Sequence, residues 1–432
     1  MKSVQLLLFA VACALAPAFA GSHGVARSQD MVMNSASTAK SDSGPKFSGG
    51  VSGILLGTRE SPAIHDRTLT EGYLSQPMLM GMATFPRYDL EISGTLNLEG
   101  LTLKRGELNA GMSGEGYIDR RHPHTYLHEL VATWKKSIGV RTEVSATAGK
   151  GFAPFGTDDP MMRPFVKYPV NHHLAQIPER AIAVAAAGYG PIAVELSRFN
   201  GDEPEGPSDF PNSSRLFDSW AGRATARIRD IAEFQGSFAN VISPEIAAGG
   251  GLTQKKWSAS GRYESEMFYG LAEYAHTREV ESGRDAFAFR SMLAEGSVSK
   301  HGAALAVRIE QTDRAEEERL SNQFRTPRPA SDLSILGRTR WTIATVNASR
   351  SFSVAKAQLA PFIEVGRAHA ASIDRLAVFD PKSFYGSDVM WSVSAGVRFG
   401  FGMMMNRMGR YGAALPKASM KMDDMAGMDM GQ

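Results

Sequence analysis

Residues 389–401 read Val-Met-Trp-Ser-Val-Ser-Ala-Gly-Val-Arg-Phe-Gly-Phe. Val389, Trp391, Val393, Ala395, Val397, Phe399 and Phe401 share one parity. Met390, Ser392, Ser394, Gly396, Arg398 and Gly400 share the other. Side chains alternate across a strand, so this is a strand with one apolar face and one small or polar face. Its length suits the roughly 9–11 residues that a tilted strand needs to cross a bilayer. A sandwich strand would be shorter and would turn its large residues inward. The stretch predicts the closing strand of an all-β fold, a transmembrane antiparallel β-barrel.

Working outward, the cleanest alternation elsewhere is Tyr88–Glu99, with Tyr88, Leu90, Ile92, Leu96 and Leu98 on one face. Further strands are expected at about Gly49–Gly57, Gln76–Phe85, Thr125–Lys135, Val140–Lys150, Ala181–Gly188 and Pro191–Asn200. Others follow at Arg215–Arg229, Ala232–Val241, Thr253–Tyr263, Met267–Thr277, Ala286–Ser297, Ala303–Gln311, Ile335–Asn347 and Ser353–Val365. The total is about 16, an even number inside the bacterial barrel range.

Short links fall at Pro86-Arg87, Lys136–Gly139, Tyr189-Gly190, Asp230-Ile231, Glu264–Glu266, Lys300–Gly302 and Ser349–Phe352. Long links between them include Gly100–His124, Gly151–Glu179, Gly201–Ser214, Thr312–Ser334 and Gly366–Asp388. That alternation predicts tight periplasmic turns, long outer loops and both termini in the periplasm. A propeller would repeat every four strands, and no such period is present.

The chain has 432 residues, 43% hydrophobic and 21% charged, with 43 glycines and a net charge of +2. That balance, with no basic patch, argues against a nucleic-acid partner. Met1–Ala20 reads as a secretory signal: Lys2, an apolar core Leu6–Leu15, and Ala18-Phe19-Ala20 for cleavage. Cys13, the one cysteine, lies inside it; a lipoprotein reading of Cys13 would put Ala10 where a large apolar residue is usual. The mature chain then has no thiol for disulfides, thiolate zinc sites or nucleophilic catalysis. No stretch offers the ~18 uncharged apolar residues of a membrane helix, Ala181–Ala187 coming nearest. The expected layout is a signal peptide over 1–20, a flexible lead-in over 21–48, the barrel over 49–402 and a Met-rich periplasmic tail over 403–432. The expected location is the outer membrane of a Gram-negative bacterium, with lipid as partner; whether the barrel forms a homo-oligomer stays open.

On the inner face, Arg223 and Arg227 oppose Leu216, Trp220, Ala224 and Ile228. Arg262, Arg338, Arg340 and Arg398 are expected to line the pore with them. Such a lining favours anions. Asp89, Glu91, Glu143, Glu195 and Glu310 are expected to face the same way, which instead makes a wall locked by salt bridges. Tyr88, Tyr126, Trp134, Trp257 and Trp391 stand near strand ends as interfacial girdles or as ordinary sheet packing.

Two groups are candidate metal ligands. His122, His124, His172 and His173 lie in loops as adjacent or alternate imidazoles; the plain alternative is polar loop residues packing on one another. Met420, Met422, Met425, Met428 and Met430 stand in a Gly- and Ala-containing tail with Asp423, Asp424 and Asp429. Thioethers are soft ligands that select Cu(I) or Ag(I); the alternative is an oxidisable tail with no ligand. Met78, Met80 and Met82 are expected to face lipid or a neighbouring strand.

Asp119-Arg120-Arg121-His122-Pro123-His124, followed by Leu127-His128-Glu129-Leu130, resembles the signature of a family of uncharacterised outer-membrane barrels. Its members often occur beside copper and heavy-metal resistance genes. Thr157-Asp158-Asp159-Pro160, His172-His173, Phe199–Pro204, Asp218-Ser219-Trp220 and Ser243-Pro244-Glu245 continue the likeness in order, with Asp202 where the family carries arginine. Gly149–Gly156 is similar to the strand-to-loop junction of phosphate-selective-type porins. The resemblance implies a barrel, and copper handling by association. The expected function is a channel, porin-like, used in copper tolerance, and not an enzyme. Two alternatives stand beside it: a barrel-embedded hydrolase with one of the loop histidines as base, and a plugged structural barrel.

Overall fold

The computed structural model describes residues 44–63, 66, 68–102, 124–170, 172–204, 206–229, 231–317, 335–374, 379–403 and 407–416. The strands are β1 (Lys46–Ser61), β2 (Leu69–Phe85), β3 (Leu90–Asn97), β4 (Leu127–Ile138), β5 (Thr142–Gly151) and β6 (Arg180–Tyr189). They continue as β7 (Ile192–Phe199), β8 (Ser219–Ile228), β9 (Ala232–Ile242), β10 (Thr253–Glu264), β11 (Phe268–Glu281) and β12 (Arg284–Lys300). The last are β13 (Ala303–Glu317), β14 (Ile335–Arg350), β15 (Phe352–Val354), β16 (Ala357–Ser372) and β17 (Val389–Gly402). Each pairs antiparallel with its neighbour, and β17 pairs back onto β1 from Gly50↔Gly402 to Ser61↔Trp391. β14 and β15 both pair with β16, so the 17 segments make 16 staves of one closed cylinder. Closure lets the strands satisfy one another's N–H and C=O groups all the way round, with no open sheet edge, which is what a bilayer demands. Among the described residues, no helix is long and apolar enough to cross a membrane.

The alternation assigns the faces. Leu55, Leu130, Leu196, Phe238, Ile363 and Val393 stand on the outside. Exposed aromatics collect near both rims: Tyr88, Tyr189 and Tyr263 towards the short turns, Trp220, Trp257 and Trp391 towards the long loops. That two-level placement is compatible with interfacial girdles, while Trp257 also packs on Tyr274 across the sheet at 4.8 Å and Tyr126 is half-buried.

Several boundaries differ from the sequence reading. Arg215 belongs to a 3-10 turn, and β8 begins at Ser219. The expected turn at Ser349–Phe352 is a break within one stave, and the true hairpin lies at Ala355-Lys356, so Ser353 and Val354 sit on the preceding stave. β11 and β12 join through Ser282-Gly283, both at positive φ, a two-residue turn at the long-loop end. β1 already starts at Lys46, inside the stretch assigned to the lead-in.

Two parities also differ. Met78 and Met80 face the interior, both 4% exposed. Trp341 and Ile343 face inward as well, where they pack with Val170 and Tyr385. Arg338 and Arg340, on the opposite parity, therefore stand on the outer face and not in the pore. Arg340 pairs with Asp313 at 2.6 Å and Arg338 with Asp374 at 2.6 Å. Large apolar side chains on both faces of β14 conceal its orientation from the sequence.

Candidate functional site

The bore is occupied by the chain itself. Residues 152–179, between β5 and β6, turn inward and run around the wall. A buried loop brings peptide groups that need partners, and inward wall side chains supply them. Glu364 accepts the N–H groups of Val166 (2.8 Å) and Lys167 (3.1 Å), Glu310 accepts that of Val170 (2.9 Å), and Ser237 that of Gly156 (2.9 Å). Arginines donate to the carbonyls: Arg398 to Arg163 (3.2 Å) and Phe165 (2.9 Å), Arg308 to Lys167 (3.0 Å), Arg223 to Gly156 (3.1 Å). Gly156 sits at φ +67, and a Cβ there would come within 1.6 Å of the Ala175 carbonyl oxygen, so only glycine fits.

A second segment, residues 407–416, rises from the short-turn end into the same space. Arg407 and Arg410 share Asp158, a loop carboxylate that Arg262 also reaches at 3.0 Å. Both also reach Glu233, at 2.9 and 2.8 Å. The Tyr411 hydroxyl donates to Glu129 (2.7 Å) and accepts from the Phe152 N–H (2.9 Å). Arg223 forks onto Glu195 at 2.6 and 2.8 Å and gives a further bond to the Gly409 carbonyl at 2.9 Å. Arg227 bonds the Ala414 carbonyl, and the Ala413 N–H reaches Ser145 at 2.9 Å. Met408 is fully buried with Met78, Phe152, Met161 and Tyr168. Leu415 is back at the short-turn end, beside Arg141, Gly190 and Arg229. Spaces lined by Lys167, Arg308 and Glu310 and by Asp158, Arg262 and Arg407 hold only about 10 Å³ each, roughly room for one water.

Four of the six arginines expected in the pore, Arg223, Arg227, Arg262 and Arg398, do face inward, but each is taken by a carboxylate or a carbonyl. The wall is the salt-bridged kind, not a free cationic lining. Where the sequence reading begins a tail at residue 403, the chain first packs residues 407–416 into the bore.

At the long-loop end lies a histidine–carboxylate knot. His128 Nδ1 is 2.7 Å from Glu179 Oε1, its Nε2 is 3.5 Å from Asp159 Oδ2, and His124 Nδ1 is 3.7 Å from Glu179 Oε1. Thr125 also donates to Glu179, through both its N–H and its hydroxyl. Tyr168 lies 5.8 Å from the His124 ring and 5.4 Å from the His172 ring, so it separates two of the four predicted imidazoles. His122, the side chain of His173, and Met420, Met422, Met425, Met428 and Met430 lie outside the described residues. His128, Asp159 and Glu179 were not among the site residues expected from the sequence. A bulge opposite Thr95–Leu96 lets adjacent His128 and Glu129 both turn inward, which strict alternation forbids.

No family model matches the chain, and no curated protein matches it. Solved structures similar to it include an anion-selective porin from Comamonas acidovorans, at 9% identity over 83% of this chain and 99% of that one, TM-score 0.49. Outer-membrane-expressed OmpT of Vibrio cholerae matches at 10% identity over 84% and 99%, TM-score 0.48. Pseudomonas putida OprB matches at 9% over 84% and 95%, TM-score 0.45.

Burial pushes the Asp158 carboxyl up, but Arg407, Arg410 and Arg262 outweigh it and hold it well below the usual carboxylate range. Burial likewise raises Glu179, and the two imidazoles beside it, His128 in hydrogen-bond contact and His124 at 3.7 Å, bring it below that range. Groups depressed in the fold stabilise it fully above their unfolded values, about 4, and lose that contribution as pH falls below them. Asp158→Asn leaves three guanidiniums facing a neutral amide, a loss of about 3–5 kcal/mol for a broken buried pair. Trypsin should then cut after Arg407 or Arg410 while the barrel keeps its heat-resistant electrophoretic mobility. The unfolding temperature of the variant should fall less steeply than the wild type's below about pH 4.

Proposed function

We propose that the chain is a channel-like outer-membrane barrel whose passage is set by the two infolded segments. The observation that carries this is the inner wall: it is polar and charged, and it holds a loop and the segment 407–416 by side chains rather than by strand pairing. A barrel built only to be solid has no need of a removable filling, and the ion pairs around Asp158 are breakable contacts. On this reading the short-turn end faces the periplasm. In a planar bilayer the wild type gives small current steps, and Arg407→Ala with Arg410→Ala gives steps several-fold larger. Silent membranes with both proteins, each shown to be folded and inserted, would leave the sealed structural barrel as the better reading.

The hydrolase alternative receives less support. Among the described residues the Thr125 hydroxyl, at the same knot, donates to Glu179 and not to a histidine, so it lacks there the nucleophile–base bond that activates a hydroxyl.

Copper tolerance is a second reading, supported by the thioether spacing of Met420–Met430 and by the return of Leu415 to the short-turn end, from which that sequence continues. A synthetic peptide of residues 417–432 should bind Cu(I) or Ag(I) in preference to Zn(II). A peptide with no affinity for either soft ion removes the reading.

A further inference from the structure

We propose that His124, His128 and Glu179 form a binding site for one borderline divalent cation of the zinc type, with Asp159 orienting His128 from behind. One ligand atom from each of the three lies within 4.8 Å of the others. The residues come from three places: the approach to β4, β4 itself, and the last residue of the inner loop. Two imidazoles and a carboxylate are a ligand set that zinc-like ions accept, and that calcium and magnesium, which prefer oxygen, do not.

A simple hydrogen-bonded latch accounts for only part of the geometry. It explains His128 Nδ1 on Glu179 at 2.7 Å. It leaves His128 Nε2 fully buried with no hydrogen bond, facing Asp159 at 3.5 Å. It leaves His124 at 3.7 Å from a carboxylate oxygen, too far for a hydrogen bond but near the separation of two ligands on one ion. It also leaves the buried hydroxyl of Tyr168, against the His124 ring, without a partner. A cation between His128 Nδ1, His124 and Glu179 uses the first two imidazoles as donors. His128 Nε2, 3.5 Å from Asp159, then faces the outer carboxylate that a metal-ligating imidazole usually has behind it. Three protein ligands leave a further position open to an oxygen donor.

The ion would tie Glu179, at the end of the inner loop, to the wall strand β4, with Asp159 near the start of the same loop pressed against the same histidine. This inference does not rest on conduction, since a sealed barrel would bind the ion equally well.

The test is titration of the full-length folded protein with Co²⁺, read by its visible ligand-field bands, followed by displacement with Zn²⁺. One equivalent of Co²⁺ giving the intense bands of a low-coordinate nitrogen and oxygen site is expected. His124→Ala and Glu179→Gln should abolish the bands, and Asp159→Asn should weaken affinity by about 10–100-fold, the usual effect of removing an outer carboxylate. Each variant is first shown to be folded by its heat-modifiable mobility. Absence of bands in the folded wild type overturns the proposal. So do bands of unchanged intensity in His124→Ala and Glu179→Gln, which would place the ion elsewhere in the chain.

Discussion

A peptide group taken away from water must find another partner, and that constraint shapes this molecule twice. In the wall it is met by strand pairing, closed by β17 on β1. Inside the bore no strand is available to the loop 152–179, so side chains do the work. Carboxylates of Glu310 and Glu364 take N–H groups, and guanidiniums of Arg223, Arg308 and Arg398 take carbonyls. The inward face is thus rich in charge of both signs because it solvates backbone.

The same logic explains why the interior is not a plain aqueous lumen. Val131, Ile182, Val184 and Phe199 on the wall meet Phe155, Ile177 and Tyr411 from the infolded segments in one dry cluster. Burying that apolar surface favours the filled state, while the Asp158 ion pairs fix its register. Among the described residues the filling is held by side-chain bonds and apolar packing, distinct from the ladder hydrogen bonds of the wall.

The cylinder was legible in the sequence because lipid on one face and a different medium on the other enforce period two, as in Val389–Phe401. What the filling does was hidden, since a wall residue that holds a loop carbonyl looks, in sequence, like one that faces water. Arg398 could be placed inside by parity, but its partners Arg163 and Phe165 are more than two hundred positions away. Arg338 and Arg340 were misplaced because Trp341 and Ile343 are large residues turned inward to pack on loops. His128 was not placed in the interior because a bulge breaks the alternation there, nor Glu179 beside it because nothing local marks where the loop returns.

The most direct check is hydrogen exchange of backbone amides in the folded, membrane-inserted protein. Amides of Val166, Lys167, Val170 and Ala413 should exchange slowly, on the timescale of the wall strands, since each is bonded to a buried side chain. Exchange of these amides as fast as in an unfolded peptide, with the strands still protected, would contradict the account.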